Sequence, residues 1–563
     1  MKDYSNWEPI PDYKNDSPWV PPNRPWLKYR PPIIPKTLQY DPIPLHEFIK
    51  QTARNFPNNV CVDHMPSGVK STYRELIKYA DQIANALYEL GIRKGDGVGI
   101  MSENCPEFVY CLLGIMETGA IAIPINPLLK ESDVTHIVRD SGIIKVIFVH
   151  SSTYHIIENT RKEIDLPHVI IIRSDKEREN TITYEKLIEG KESKPPEVDF
   201  DPDNDLVALM YTGGTTGFPK GVMISHTNMV SAVLSVLYNI PLPMEEIIPM
   251  RAQRTTMAVA PLCHIQGYLT LCIVLRGAGM CLMLGKFDSG LILKTIEEYK
   301  ITGFGGLPVM YQMLINHPDF RKRDLSSIES SISGGAALAP ELAKIWLEVV
   351  GSEVGQGYGL TESSGMGNSL APWMPRGINP ESVSVPIVDM DLKIVNPDTL
   401  EELPTGEVGE MLLRGPLIMK GYWKNPEATA KDLVDGWLRT GDLGKMDEDG
   451  YFYIEGRSKD MVKYKGYKVM PKEVEIKLME HPAVLEAGVV GVPDPNIGET
   501  IKAFIVLKKE DIGKVTEQEI IEWSKEKLAG YKWPRKVEFI NSLPRTGVGK
   551  IKRRKLREME LEK

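Results

Sequence analysis

The chain has few cysteines, and none of them stands at a spacing that binds a metal. Six cysteines occur in 563 residues, with no C-x-x-C pair and no cysteine and histidine at ligand spacing. Their neighbours are apolar, which predicts buried, reduced thiols. The sequence therefore argues against a disulfide framework and favours a cytoplasmic protein.

Long apolar runs and an excess of basic residues are also absent. The best membrane-spanning candidate, residues 269–284, is interrupted by Arg276 and by glycines, so we expect no transmembrane segment. The first residues mix charges around no apolar core, so we expect no secretion signal either. A formal net charge of -9 argues against nucleic acid or an anionic membrane as a general partner, although local basic patches stay open.

The length and composition indicate a globular protein with at least two domains. The chain is 42% apolar and 25% charged, and it is longer than one core usually supports. Residues 1–44 are rich in proline and tryptophan, which predicts an extended arm lying on a folded body. After a capping box at Thr72 and Glu75, strands alternate with helices, which predicts an α/β fold with a mostly parallel sheet covered by helices.

One stretch, YTGGTTGFPKG, runs from Tyr211 to Gly221 and combines backbone freedom, hydroxyl donors and one lysine. Glycines let several N–H groups turn toward one point, and lysine adds positive charge, so the stretch predicts a phosphate-binding loop. It differs from G-x-x-x-x-G-K-[ST], and the strand expected at 221–225 makes it the tip of a hairpin. An ordinary Gly/Thr-rich turn is the alternative. The proposed phosphate ligands are Thr212, Gly213, Gly214, Thr215, Thr216, Gly217 and Lys220.

Four further stretches follow in the chain: GYGLTE (357–362), RTGD (439–442), GRSKD (456–460) and PRTGVGK (544–550). Together with the loop they resemble the signatures of the adenylate-forming superfamily, which includes acyl-CoA synthetases, firefly luciferase and peptide-synthetase adenylation domains. Within it, the chain is most similar to AMP-forming fatty-acyl-CoA ligases. Five signatures in one order are far more specific than any single one.

The resemblance implies a nucleotide site. It implies that Thr361 and Glu362 act on the phosphates, with Thr216 and Glu362 holding Mg²⁺, and that His264 faces the carboxylate substrate. On the residues alone, a histidine beside apolar neighbours is more often part of a core. The other residues implied to contact nucleotide or acyl group are Gly334, Gly335, Ala336, Gln356, Gly357, Tyr358, Gly359, Asp442 and Arg457.

The resemblance also implies a domain division and a second catalytic lysine. We expect a large N-terminal domain at 1–456, made of two helix-covered, mostly parallel sheets and a small β-rich unit, and a small mobile α/β domain at 461–563. The hinge would be 457–460, around Lys459. Lys550 would act on the carboxylate and α-phosphate, and Lys463 with Gly466 would serve the CoA reaction. The generic interpretation of the basic run 544–557 is a nucleic-acid or localisation patch.

The implied reaction uses ATP, Mg²⁺ and coenzyme A to convert a carboxylic acid, most simply a medium- or long-chain fatty acid, into acyl-AMP and then acyl-CoA. An aryl or short hydroxy acid is the alternative substrate, and a P-loop NTPase or nucleic-acid-binding module is the alternative class. The sequence leaves open whether the protein forms a homodimer. Four residues depart from the family's usual pattern and leave some acyl and CoA contacts in doubt: Val548, Lys468, Glu381 and Ser384.

Overall fold

The computed structural model describes residues 24–561, apart from 177, 213–218, 286, 336–337, 466, 495–496 and 546–549. This part of the chain forms two compact units. The larger unit comprises the residues up to Leu392 together with Leu413–Leu438, and the smaller comprises Lys393–Leu412 together with the chain from Arg439 onward. Within the described ranges, every helix is too short or too polar to cross a membrane. All six cysteines are buried and unpaired, which confirms the predicted thiols.

The first sheet of the larger unit has eight strands. Its strands are parallel except for Lys220–Ser225, which pairs antiparallel with Leu206–Thr212 in the hairpin of the predicted phosphate loop and with Gly421–Tyr422 at the edge. The central strands are almost wholly buried because helices cover both faces of the sheet. In order across this sheet, the strands are Gly421–Tyr422, Lys220–Ser225, Leu206–Thr212, Ile121–Pro124, Gly97–Met101, Ile144–His150, His168–Ile172 and Ile182–Thr183.

The second sheet of the larger unit has seven strands and is parallel except for its last hairpin. On one face, Phe304 stacks on Trp346 with ring centroids 5.6 Å apart. Two mostly parallel sheets covered by helices confirm the predicted fold class. In order, the strands are Val354–Gln356, Ser330–Ser333, Gly303–Gly306, Thr255–Met257, Met280–Met283, Val60–His64 and Val69–Thr72, and a separate pair joins Asn368–Ser369 to Val385–Pro386.

The smaller unit contains most of the predicted β-rich segment and the C-terminal α/β segment. Most residues of a five-stranded sheet belong to it, and that sheet is made of Asp391–Val395, Gly409–Arg414, Trp437–Met446, Leu433–Val434 and Phe452–Arg457. The C-terminal strands are the hairpin Val462–Tyr464 with Tyr467–Val469, and the three-stranded sheet of Val484–Asp494, Gly498–Leu507 and Lys536–Phe539. The hinge at 457–460 and the mobility of the last hundred residues stay predictions.

Some of the helices begin at side-chain caps that the sequence supplies. Thr72 and Glu75 form the predicted capping box, and Ser225 with Asn228 forms another directly after the phosphate hairpin. The α-helices of the larger unit are Leu45–Asn55, Tyr73–Glu89, Pro106–Glu117, Glu131–Ser141, Tyr154–Thr160, Tyr184–Ile188, His226–Tyr238, Met244–Ala252, Ile265–Arg276, Ser289–Tyr299, Pro308–Ile315, Pro340–Val350 and Pro426–Asp432. Those of the smaller unit are Pro471–Met479, Glu517–Lys527 and Arg553–Leu561.

The described part of the N-terminal arm lies on the larger unit. Trp26 is fully buried. Arg24 donates to both carboxylate oxygens of Asp391, at 2.9 and 3.2 Å. Tyr40 donates its hydroxyl to Asp389 Oδ2 at 2.7 Å. The arm is therefore held by one buried ring and by hydrogen bonds to two aspartates.

A buried histidine makes the stability of the larger unit sensitive to acid. His226 is 1% exposed, and its Nδ1 accepts a hydrogen bond from the Leu45 N–H at 3.0 Å. Burial lowers the pKa of His226 to about 4; the Lys94 charge adds to this, and Asp205 opposes it. The native histidine is thus neutral at pH values where the unfolded chain already binds a proton.

We expect His226→Asn to flatten the acid dependence of folding. In the natural chain the contribution of His226 is complete above pH 6.5 and is lost as pH falls toward 4, at up to about 1.4 kcal/mol per pH unit. Asparagine keeps an acceptor for Leu45 but does not titrate. Urea unfolding midpoints measured at several pH values check this, and parallel curves for the two proteins would contradict it.

Candidate active site

Several of the predicted site residues follow the carboxyl ends of strands in the seven-stranded sheet. One strand leads into the segment that ends at His264, a second ends just before Gly334, and a third ends just before Gly357. Ligands of open parallel sheets bind outside these ends. The topology thus collects at one edge residues that lie far apart in sequence.

His264 stands at the start of the helix Ile265–Arg276, where its Nδ1 accepts a hydrogen bond from the Gln266 N–H at 3.3 Å. A Cβ on Gly334 would stand 2.9 Å from Gln266 Nε2, so a larger residue there would require the Gln266 amide to shift. The structure therefore brings the start of this helix against Gly334. Gly335 follows with φ of 76°, and Ala336 lies outside the described residues.

Asn104 holds the loop before His264 and was missed by the sequence analysis. Its side-chain amide donates to the carbonyl oxygens of Ala258 and Ala260, at 3.2 and 3.0 Å, and its Oδ1 accepts from the Leu262 N–H at 2.8 Å. Three hydrogen bonds from one side chain fix the course of this loop. Separation by more than 150 positions in sequence left no local pattern that could reveal the contact.

The predicted adenine segment, Gln356–Gly359, is held by bonds to two neighbouring loops. Gln356 accepts the Leu338 N–H at Oε1, at 2.9 Å, and donates its Nε2 to the Pro380 carbonyl oxygen. The Gly357 N–H donates to Ser333 O at 2.9 Å. Tyr358 is 7% exposed. These contacts order the segment, and its role toward a purine stays a prediction.

The predicted phosphate loop lies between the two strands of a hairpin. Strands Leu206–Thr212 and Lys220–Ser225 pair antiparallel, which confirms the predicted hairpin, and Thr212 lies opposite Lys220. Tyr211 at the root donates its hydroxyl to Asp140 Oδ2 at 2.7 Å. The tip, with Gly213, Gly214, Thr215, Thr216 and Gly217, lies outside the described residues.

Glu362 lies on a short 3₁₀ helix, Thr361–Ser363, which hydrogen bonds to residues 417–419 hold in place. The Glu362 carbonyl oxygen accepts the Met419 N–H at 2.9 Å, and the Ser364 hydroxyl donates to Leu417 O at 2.8 Å. The carboxylate of Glu362 accepts a hydrogen bond from the Tyr422 hydroxyl at 3.0 Å. The predicted carboxylate is thus held by both its backbone and its side chain.

Tyr422 links Glu362 to Lys220, a connection that the sequence analysis missed. Its hydroxyl also lies 3.0 Å from Asp432 Oδ2, and Lys220 Nζ lies 3.8 Å from the centroid of its ring. The same Nζ lies 3.6 Å from Asp432 Oδ2. Burial, followed by the charges of Glu362 and Asp432, raises the pKa of Tyr422 far above its usual value, so the hydroxyl keeps its hydrogen. Tyr422 lies in the stretch GYWKNPEAT (421–429), where no local pattern indicates this contact.

In the smaller unit, Asp442 and Arg457 contact each other. The Arg457 Nε donates to Asp442 Oδ1 at 2.9 Å, and Asp442 is 5% exposed. These residues face each other in register on two antiparallel strands. The structure therefore pairs two residues that the sequence assigned separately to the nucleotide. Arg457 therefore orients the carboxylate of Asp442, in addition to any contact that Arg457 itself makes with the nucleotide.

Lys550 ends the loop that is predicted to carry a catalytic lysine, and residues 546–549 of that loop lie outside the described residues. The base of this loop is closed by the Lys552 N–H, which donates to Pro544 O at 2.7 Å. Lys459 and Lys463 are exposed, and Gly466 lies outside the described residues. The structure shows where these lysines lie and does not test their roles.

The basic run before the C-terminus is largely paired with carboxylates. Arg553 donates to both oxygens of Glu475, at 2.8 and 2.7 Å, and lies 3.5 Å from Asp460. Arg554 pairs with Glu558 at 2.9 Å. These positive charges form ion pairs within the smaller unit. Fewer of them are therefore available to bind nucleic acid, as the generic interpretation of the run would require.

Ser384 adopts the backbone that glycine would provide. Its φ is 61°, in the left-handed region, and its N–H donates to Ser382 Oγ at 2.9 Å. Glycine adopts this backbone more easily than serine, so Ser384 carries some backbone strain.

Comparisons with known proteins agree over nearly the whole chain. Residues 49–423 match the model of the AMP-binding enzyme family, and residues 473–550 match that of the AMP-binding enzyme C-terminal domain. A long-chain-fatty-acid–CoA ligase of Bacillus subtilis (strain 168) is 35% identical, covering 96% of this chain and 98% of the relative. A feruloyl-CoA synthase of an Amycolatopsis species is 34% identical, covering 89% and 95%.

Solved structures give the same result. The structure of the anthranilate CoA ligase AuaEII in complex with anthranoyl-AMP superposes with a TM-score of 0.83 at 31% identity, covering 92% of this chain and 98% of that chain. ATP and CoA are the co-substrates expected of such ligases. On the family matches, the full-length relatives and the shared fold, this chain belongs to the AMP-binding enzyme family and is an AMP-forming acyl-CoA ligase.

Proposed function

We propose that the acid activated by this ligase is a medium- or long-chain fatty acid. The observation that carries the proposal is an open face in the middle of the seven-stranded sheet. On the strand Gly303–Gly306, the two outer-facing positions are Gly303 and Gly305, and both are partly exposed although the strand has neighbours on both sides. No atom of the described residues lies within 4 Å of where a Cβ on Gly305 would stand.

The two faces of this strand differ in packing: one is part of the core and the other is open. Phe304, on the other face, is 2% exposed and belongs to the packed core. Ile332 lies opposite Gly305 on the next strand and is partly exposed, which gives the open face an apolar wall. A central strand without side chains beside an apolar neighbour suits an extended hydrocarbon chain, because burial of each methylene group contributes about 0.8 kcal/mol.

The open face begins beside the predicted reaction site. The Gly334 N–H donates to Gly306 O at 3.1 Å, so the strand that carries the two glycines ends next to Gly334 and the start of the His264 helix. A fatty acid lying along the strand would place its carboxylate at this edge of the sheet. Its carboxylate oxygen attacks the α-phosphorus of ATP, pyrophosphate leaves, and the CoA thiol then displaces AMP from the acyl-AMP.

The site residues have separable roles in this proposal. Lys220 and the loop before it hold the outer phosphates, Asp442 with Arg457 holds the adenosine, and Lys550 stabilises the charge on the α-phosphate. Glu362 is suited to bind Mg²⁺, because proteins usually hold this ion with one or two carboxylates together with the substrate phosphates. The bound Mg²⁺ would neutralise part of the phosphate charge.

We expect Gly305→Leu to shorten the range of acids that the enzyme accepts. A leucine side chain would occupy the open face and displace about four methylene groups, which corresponds to about 3 kcal/mol, or a hundredfold loss of kcat/KM for palmitate. Activity with hexanoate, which does not reach that depth, should change less than about threefold. AMP release measured with CoA over a series of straight-chain acids checks this.

Gly530 offers a matched control, because a Cβ there also meets no described atom within 4 Å and its φ is not left-handed. Gly530→Leu should leave the chain-length profile unchanged. An unchanged profile in Gly305→Leu as well would show that the acyl chain lies elsewhere.

One observation favours the second substrate class. The amide of Gln266 lies against Gly334, where it could donate to a hydroxylated or aromatic acid, and one relative is a feruloyl-CoA synthase. This alternative predicts that ferulate or a short hydroxy acid is a better substrate than palmitate. The NTPase and nucleic-acid-binding alternatives are set aside, since relatives that span the whole chain are ligases.

A further inference from the structure

Four residues of the larger unit form a connected cluster behind the phosphate loop: Lys220, Glu362, Tyr422 and Asp432. Tyr422 is 5% exposed, and its strand pairs with the strand that begins at Lys220. Its backbone N–H donates to Thr429 Oγ1 at 2.9 Å. The strand of Tyr422 is therefore held beside the hairpin that carries the loop.

The Tyr422 hydroxyl lies between two carboxylates. It is 3.0 Å from Glu362 Oε1 and 3.0 Å from Asp432 Oδ2. A hydroxyl has one hydrogen and can donate to only one acceptor at a time. One carboxylate of the pair is therefore left without this donor, and a positive charge nearby would stabilise it.

Lys220 supplies that charge. Its Nζ lies 3.6 Å from Asp432 Oδ2 and 3.8 Å from the centroid of the Tyr422 ring, within the range of a cation–π contact. The side chains of Lys220 and Asp432 are 36% and 27% exposed, so their attraction is screened by water and is weak. A weak contact can hold the lysine and still release it.

We propose that Tyr422 and Asp432 form a resting dock for the Lys220 ammonium group, which leaves the dock when the triphosphate of ATP binds. Tyr422 is a positioning residue in this scheme. When Lys220 moves to the phosphates, the Tyr422 hydroxyl donates to Glu362 and keeps that side chain oriented. The inference rests on the proposed roles of Lys220 and Glu362 at the nucleotide, and the identity of the acid does not enter it.

The two parts of the dock predict different effects on ATP binding in the absence of acid and CoA, so that no turnover occurs. Asp432→Asn removes the carboxylate that competes with phosphate for Lys220, and it should tighten ATP binding about threefold without Mg²⁺. Tyr422→Phe keeps the ring under Lys220 but frees Glu362. It should leave ATP binding without Mg²⁺ nearly unchanged and reduce the gain on adding Mg²⁺ about tenfold.

The experiment is isothermal titration of full-length protein with ATP, with and without Mg²⁺, for the natural chain and both variants. Tyr211→Phe is the matched control, because it also removes a hydroxyl bonded to a carboxylate, at 2.7 Å from Asp140, at the root of the same loop. It should leave the Mg²⁺ gain unchanged. Reductive methylation followed by peptide mass spectrometry adds a second measurement, in which Lys220 of Asp432→Asn should react faster.

Tighter ATP binding and faster labelling in Asp432→Asn, with a reduced Mg²⁺ gain confined to Tyr422→Phe, is the expected result. Unchanged or weaker ATP binding in Asp432→Asn, while the natural chain binds normally, would overturn the dock alone. An unchanged Mg²⁺ gain in Tyr422→Phe would overturn the positioning role of Tyr422. A natural chain that binds no ATP would overturn the nucleotide site and the dock together.

Discussion

Replacing Lys550 by alanine is expected to slow acyl-AMP formation by about two to three orders of magnitude. A unit charge about 4 Å from a phosphate oxygen contributes roughly 4 kcal/mol at an effective dielectric constant of 20, and each 1.4 kcal/mol is about tenfold in rate. Thioester formation from supplied acyl-AMP should be spared, because the charge acts while pyrophosphate leaves. Pyrophosphate release in the first reaction and CoA consumption in the second, measured separately, test this.

Lys552 is the matched control, since it is an exposed lysine two residues further on. Lys552→Ala should change neither reaction more than about twofold. Equal losses in both reactions of Lys550→Ala would show that this lysine does not act specifically in adenylation.

The second large effect is expected on stability, at a buried charge cluster far from any predicted catalytic residue in sequence. Lys50 Nζ lies 2.6 Å from Asp81 Oδ1 and 2.6 Å from Glu117 Oε1, and all three side chains are under 9% exposed. Burial raises the pKa of Glu117 to about 8, with the Lys50 charge opposing the shift. Lys50→Ala leaves two adjacent carboxyl groups without a cation and should lower the free energy of unfolding by about 3–5 kcal/mol.

The same helix carries the control. Arg54 and Glu47 also form an ion pair at 2.6 Å, but their side chains are 57% and 34% exposed, so Arg54→Ala should cost less than about 1 kcal/mol. Urea unfolding of both variants compares ion pairs that have the same N–O distance and differ in burial. Similar losses in the two would show that burial does not decide the strength of this cluster.

Local patterns in the sequence predicted local structure well. The capping box of Thr72 and Glu75 was readable because both residues lie within one turn of helix. The phosphate hairpin was readable because an apolar run and a short strand flank the glycines, and the structure has strands at Leu206–Thr212 and Lys220–Ser225. In each case the interacting residues are close in sequence, so that the pattern itself states the contact.

Contacts between distant residues were not readable. Lys50 lies on an amphipathic helix, where a lysine would ordinarily face water, and only the fold brings Asp81 and Glu117 to it from two other helices. Tyr422 contacts Glu362 across 60 positions, and nothing near either residue indicates the other. The family resemblance supplied the candidate residues of the site, whereas the structure supplied the side chains that hold them.

The proposal that this ligase activates fatty acids is tested most directly by one measurement on the natural chain. AMP release in the presence of ATP and CoA should be followed with hexanoate, octanoate, palmitate, ferulate and a short hydroxy acid, and kcat/KM compared. We predict a maximum at octanoate or palmitate, because the face that carries Gly303 and Gly305 is open and has an apolar wall. A maximum at ferulate or at the hydroxy acid, with palmitate inactive, would contradict it.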